Sequence, residues 1–203
     1  MRVPFRSWIG AAGAPCCQRA GQSRRLPNPD SLLIDTVGWM DGQRIVIFGQ
    51  RRGELSRGFV QSIDGGPPRV FTPPGLGVYS PWWWALPVST DGRVAARNQK
   101  GEVGIFFLDG RPSVPIPGLR ENEVPVQWTS DGLSLLVTSG TGAPRVVDRI
   151  DLGTGRRTRV LEITAREKAG LRLSIVAVSP DAKYYVHSYS RLLSDLYVVE
   201  GLK

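Results

Sequence analysis

Four aspartates, Asp41, Asp91, Asp131 and Asp181, recur along the chain at intervals of 50, 40 and 50 residues. Carboxylates drawn from separate segments can serve as an acid and base pair, so the first question is whether these four are reagents or turn residues. Their contexts agree with one another: GWMDG at 38–42, VSTDG at 88–92, WTSDG at 128–132 and VSPDA at 178–182. Glycine takes the positive φ of a tight hairpin turn without steric cost, and the preceding aspartate accepts hydrogen bonds from nearby backbone amides. All four are therefore read as structural turn residues. Asp181-Ala182 departs from the Asp-Gly form, which bears on the local turn type and not on the architecture.

The other residues with chemical potential are isolated. His187 is the one histidine, placed in the strand-like run VHSYS with Tyr185 and Tyr189 on its own face by a period of two. It reads as a hydrogen-bonded strand residue, and no G-x-S-x-G elbow accompanies it to supply a hydrolase nucleophile. Cys16 and Cys17 are sequence neighbours, so a cross-linked framework is not implied, and two thiols with one histidine do not make a tetrahedral zinc site. No metal or cofactor is expected. SGTGAP and LGTGRR lack the Walker lysine and the G-x-G-x-x-G spacing. Arg51, Arg52 and Arg57, and again Arg156, Arg157 and Arg159, are pairs and triplets without the continuous stripe that nucleic-acid binding requires. Trp82, Trp83 and Trp84 stand together in the Pro-bounded insertion TPPGLGVYSPWWWALP at 72–87. They suit packing over a blade edge or, as a speculative ligand contact, a stacking platform for a peptide or sugar.

The elements that must carry these residues repeat with the aspartates. A short apolar run precedes each turn (Ile34 to Trp39, Leu86 to Val88, Val124 to Trp128, Leu173 to Val178) and another follows it (Ile45 to Phe48, Val94 to Ala96, Leu135 to Val137, Tyr184 to Tyr189). A third run (Phe59 to Ile63, Val103 to Leu108, Val146 to Ile150, Leu196 to Val199) ends at a second turn carrying an acid and a glycine, and the first three units add a fourth strand at Arg69 to Thr72, Ser113 to Ile116 and Arg157 to Leu161. Four antiparallel strands with a period of 40–50 residues describe an all-β chain, a β-propeller of about four four-stranded blades in a closed or an incomplete ring. The units fall at about 31–75, 85–118, 123–162 and 173–203, within one repeat domain over 31–203. ITAREKAGLRL at 163–173 separates the last two and has room for a helical turn.

Composition narrows the setting. Of the formal charge of +8, half belongs to residues 1–30, where Arg2, Arg6, Arg19, Arg24 and Arg25 face only Asp30, so 1–30 is expected to be an unstructured basic leader and the body is mildly basic. The apolar stretch at the start is short and broken by Gly and Pro, unlike a secretory signal, and no run approaches the ~18 apolar residues of a membrane span. The compartment is left open: cytoplasmic by the lack of a convincing signal, periplasmic if the chain belongs to a membrane-anchored protein.

The turn pattern, the third strand and the D-x-x-T-G turn at 151–155 resemble the TolB-like or WD40-like propeller repeat of bacterial proteins. YYVHSYSRLLSDLYVVEGLK, with RVVDRIDLGTGRR, GELSRGFVQSIDGGPPRVFTPPG and STDGRVAARNQKGE, is similar to the C-terminal end of the propeller attached to bacterial serine/threonine protein kinases of the acidobacterial type, over about 31–203. The resemblance implies a non-catalytic interaction or sensor module with a protein or peptide partner, and a chain that is the last part of a longer gene. The glycine-rich nucleotide loop with its strand lysine, HRD and DFG are missing, so the chain is not expected to transfer phosphate. Two other readings stand beside it: a propeller-type hydrolase or lyase acting on a glycan or peptide, and a truncated fragment without function.

Overall fold

A computed structural model of the chain describes residues 6–9, 15–19, 22–28, 31–75, 86–97, 101–139, 144–164 and 171–191, and among these every regular element is a strand. The first three, β1 (Arg6–Ile9), β2 (Pro15–Arg19) and β3 (Gln22–Arg25), pair antiparallel in the order β1-β2-β3. These three strands fall within residues 1–30, where the sequence leads one to expect an unstructured leader. The segment between this sheet and the next packs on an apolar face: Leu26 and Leu32 are buried against Ile45, Ile47, Phe59 and Ile63. Gln61 Nε2 fixes the segment by donating to the Pro27 carbonyl at 2.7 Å.

The next sheet contains β4 (Leu33–Trp39), β5 (Arg44–Gln50), β6 (Arg57–Ser62) and β7 (Arg69–Val70), joined in sequence order. The following one contains β8 (Arg93–Arg97), β9 (Val103–Phe107) and β10 (Val114–Pro115). Where the sequence suggests a strand at Leu86 to Val88, the structure has a single bridge from Val88 to Val94. Pro87 has no amide to give to a ladder, although its carbonyl accepts from Ala95 N at 3.0 Å. A four-stranded sheet follows, β11 (Glu123–Trp128), β12 (Ser134–Ser139), β13 (Arg145–Asp151) and β14 (Arg157–Ile163). The last described pair is β15 (Leu171–Val178) with β16 (Tyr185–Arg191). The ends of the 163–173 segment are strand, and residues 165–170, like the run Leu196 to Val199, lie outside the described residues.

The three middle sheets stack face against face because one strand in each, β5, β8 and β12, is apolar on both sides, unlike the alternating pattern of a sheet with one wet face. In β5, Ile45 and Ile47 turn toward Leu26 and Leu32, while Val46 and Phe48 turn toward Val94, Ala96, Phe106 and Leu108 of the next sheet. Ala95 and Ile105 then meet Leu135, Val137 and Ile150, and Leu136 and Val147 meet Val178. At roughly 1.5–3 kcal/mol for each fully buried Val, Leu, Ile or Phe, these seams dominate the cohesion of the array. The first strands line up as well, β1 beside β4 and β11 beside β15. Residues 6–25 thus sit before the β4–β7 blade in the way one blade sits before the next.

Candidate functional site

Each aspartate turn is built from its own side chains. In the third blade the Asp131 carboxylate Oδ1 accepts Leu133 N at 2.9 Å and the Thr129 hydroxyl at 2.6 Å. Ser179 and Lys183 N do the same for Asp181 at 2.6 and 3.2 Å, and in the second blade the Ser89 hydroxyl donates to Asp91. The hydroxyl also accepts the amide that starts the next strand, Arg93 N at 2.8 Å, Ser134 N at 3.0 Å and Tyr184 N at 2.9 Å. The first blade has Trp39 two residues before its aspartate, so no hydroxyl is available; Asp41 instead accepts Gln43 N and Arg44 N, both at 2.8 Å, and the Arg44 guanidinium at 2.7 Å. Gly92 and Gly132 close their turns at φ 86° and 67°, and Ala182 takes the same left-handed conformation at φ 57°.

These contacts hold the carboxylates ionised. At Asp131 the Thr129 hydroxyl, and at Asp181 the Ser179 hydroxyl, lead the interactions that push the carboxyl below its ordinary value. At Asp41 and Asp91 partial burial pushes upward and is outweighed by the hydrogen bonds of Gln43 and Arg44, or of Arg93 and Ser89, together with the guanidinium charge. Asp151, whose Oδ1 accepts Thr154 N at 2.8 Å and the Thr154 hydroxyl at 2.6 Å, is lowered in the same way. LGTGRR is the sequence of this turn, closed by Gly155 at φ 69°.

The turns of three successive blades gather at one end of the molecule. A cavity of about 220 Å³ is lined there by Thr90, Asp91 and Arg93 of one blade, Trp128, Ser130 and Asp131 of the next, and Pro180 of the third. Arg93 forms its side wall: its guanidinium lies 4.5 Å over the Trp128 ring, pairs with Asp91 at 2.7 Å, and donates to the Gly132 carbonyl at 2.7 Å. Trp128, buried, donates Nε1 to the Pro87 carbonyl at 3.0 Å, so the wall is also the joint between two blades. Asp131 borders a second cavity of about 560 Å³ with Leu133, Arg149, Asp151, Arg156 and Thr158. Sequence reasoning passes over Arg93, Trp128, Arg149 and this neighbourhood of Arg156. Its one visible signal is position: Trp128 stands at the entrance of the WTSDG turn and Arg93 at the exit of the VSTDG turn.

Trp82, Trp83 and Trp84 lie outside the described residues, as do residues 140–143 of SGTGAP. His187 lies on β16 and stacks on Tyr185 at 5.9 Å with 19° between the rings, and its Nδ1 is buried with no hydrogen-bond partner among the described residues. The arginine triplets disperse. Arg51 lies over Phe59, and Arg156 faces the larger cavity. Arg157 is locked between Glu123 at 2.6 Å and Asp148 at 2.8 Å, and Arg159 reaches Glu162 at 3.3 Å. Among the described residues no three of His, Cys, Asp and Glu are placed to hold a metal ion, and no helix is long and apolar enough to cross a membrane.

No family model matches the chain, and no curated protein matches it in sequence. Solved structures do. TolB from Acinetobacter baumannii matches at a TM-score of 0.57 and 19% identity, over 88% of this chain and 46% of that one. A nidogen/laminin complex matches at 0.54 and 11%, over 78% and 62%. Porphyromonas gingivalis dipeptidyl peptidase 4 matches at 0.51 and 17%, over 87% and 26%. The chain therefore spans less than two thirds of the length of each of these proteins, which include an enzyme as well as TolB. At such identities the likeness is one of architecture: the chain is an all-β propeller, similar in fold to TolB.

Proposed function

We propose that the chain is a non-catalytic interaction module that binds a protein or peptide at the end where its aspartate turns gather, equivalent to the propeller that accompanies bacterial serine/threonine kinases. The observation that carries this reading is the cavity formed by turns of three successive blades, Thr90, Ser130 and Pro180 at its rim. A site assembled from repeated loop tips offers several spaced contacts to an extended partner. The four turn aspartates serve the backbone, since their carboxylates are already occupied and held below their usual range, which suits fixed charges better than proton carriers. Panning a twelve-residue random peptide library displayed on phage against the immobilised chain tests the reading. Selected peptides are expected to lose binding to Ser130→Trp, which fills the smaller cavity. Peptides indifferent to that change would place recognition elsewhere.

One observation favours the rival enzyme reading: Asp91 and Asp131, from different blades, reach the same cavity as Arg93. A propeller-type hydrolase or lyase would use such a meeting. Turnover of a polygalacturonate or an aminoacyl-naphthylamide substrate, abolished by Asp131→Asn, would establish it in place of the module.

A further inference from the structure

We infer that the two cavities form one groove and that its larger half binds a carboxylate of the bound peptide, an inference that rests on the interaction-module reading. Asp131 is a wall of both cavities, with Thr90 and Ser130 lining the smaller and Arg149 and Arg156 the larger. The larger space, about 560 Å³, is of the size of small-ligand sites, roughly 300–1,000 Å³.

Its chemistry is set by what is already satisfied. Asp131 and Asp151 each have Oδ1 filled by a hydroxyl and an amide of their own turn, and the charge of Arg149 helps keep both ionised. Neither Arg149 nor Arg156 forms a salt bridge among the described residues, and both are exposed to the cavity. Arg149 has its charge engaged with these two acids, so the Arg156 guanidinium is the donor left over, and the group it matches is a carboxylate, which a guanidinium binds through two parallel hydrogen bonds. Exposed Leu133 at the same rim offers an apolar contact to the neighbouring residue of the peptide.

The test takes the phage-selected peptides, synthesised with a fluorescein label, and measures their affinity for the full chain and two charge-reversed variants. Arg156→Glu lies in the groove, and Arg69→Glu lies on β7, away from it, as a control for bulk charge. The inference expects selected peptides to carry Asp, Glu or a free C-terminus, to bind Arg156→Glu at least tenfold more weakly, and to bind Arg69→Glu within about twofold of the parent. Amidating the peptide C-terminus distinguishes the two sources of the carboxylate: a loss assigns the terminus, retained binding assigns the acidic side chain. Peptides that depend on Ser130 but bind Arg156→Glu normally overturn the carboxylate site and leave the module reading standing, and equal losses in both charge variants overturn it as well. A library that yields no binder overturns both.

Discussion

Replacing Arg157 with methionine is expected to remove about 3 kcal/mol of stability. The guanidinium donates to both Glu123 oxygens at 2.7 and 2.6 Å, to Asp148 at 2.8 Å, and to the Gly118 carbonyl at 2.9 Å. It therefore ties the loop that enters the β11–β14 blade to that blade's outer strand. The Glu123 and Asp148 side chains are only 5% and 11% exposed. Methionine fills the space but leaves two buried carboxylates without their cation, and removing one partner of a buried pair costs roughly 3–5 kcal/mol. The lower end applies because Arg120 and Arg159, both mostly exposed, remain 4.0 and 3.7 Å from the two acids. Urea unfolding followed by tryptophan fluorescence measures the change, and at about 2–4 °C per kcal/mol the melting temperature should drop by roughly 6–12 °C. Glu123→Gln in the same background should be less damaging than it is alone, because its charge has already lost its partner. A loss below about 1 kcal/mol, with the two changes additive, would show that the network is solvated and does not hold the blade entry.

Three further outcomes follow from the turns. Gly132→Ala should destabilise by about 1–2 kcal/mol, since it forces a side chain to φ 67° and sets its Cβ 2.8 Å from the Arg93 guanidinium; Gly42→Ala, open on all sides, should stay within about 0.5 kcal/mol by the same urea assay. Ala182→Gly should stabilise by about 0.5 kcal/mol, the relief of left-handed strain at φ 57° being partly offset by the greater freedom of glycine in the unfolded chain. Because Asp41, Asp91, Asp131, Asp151 and Asp181 are lowered on folding, their contribution is complete above the unfolded value near 3.9 and is lost as pH falls through the folded values. Urea midpoints should therefore hold steady from pH 7 to about 5 and decline below about 4, whereas a decline already evident between pH 7 and 6 would contradict the assignment.

The repeat was legible because the turn writes its own requirement into five neighbouring residues. Ser89, Thr129 and Ser179 bond the aspartates two places on, and the strands on either side are short and apolar in the same register. The sheet at 6–25 was hidden for the opposite reason: RSWI, PCCQR and QSRR are brief and polar, carry no such turn, and find their place through backbone pairing and the apolar face that Leu26 and Leu32 cover. The groove was hidden by distance and by alternation. Arg93 and Trp128 belong to different blades and meet only when the blades stack. Arg156 and Arg157 are adjacent in sequence, yet one faces the larger cavity and the other locks Glu123 and Asp148.

The same self-sufficiency of the turns explains why recognition would settle on their tips. Between the position two before the aspartate, a hydroxyl in three blades, and the aspartate itself stands one residue that the turn does not need: Met40, Thr90, Ser130 and Pro180 in successive blades. In the first blade it is buried in the seam with the next sheet, and in the other three it borders the smaller cavity. In the second, third and fourth blades the hydrogen bonds that shape the turn come from its neighbours, so the side chain at this place can change size and polarity while the backbone stays put; in the first, Met40 N donates to the Arg44 carbonyl at 3.1 Å and its side chain belongs to the core. Three of the four turns thus separate the residues that hold the backbone from one that is free to vary at the tip. The smaller cavity lies where three of these positions, Thr90, Ser130 and Pro180, come together, and Asp131 stands between it and the larger cavity that Arg149 and Arg156 line.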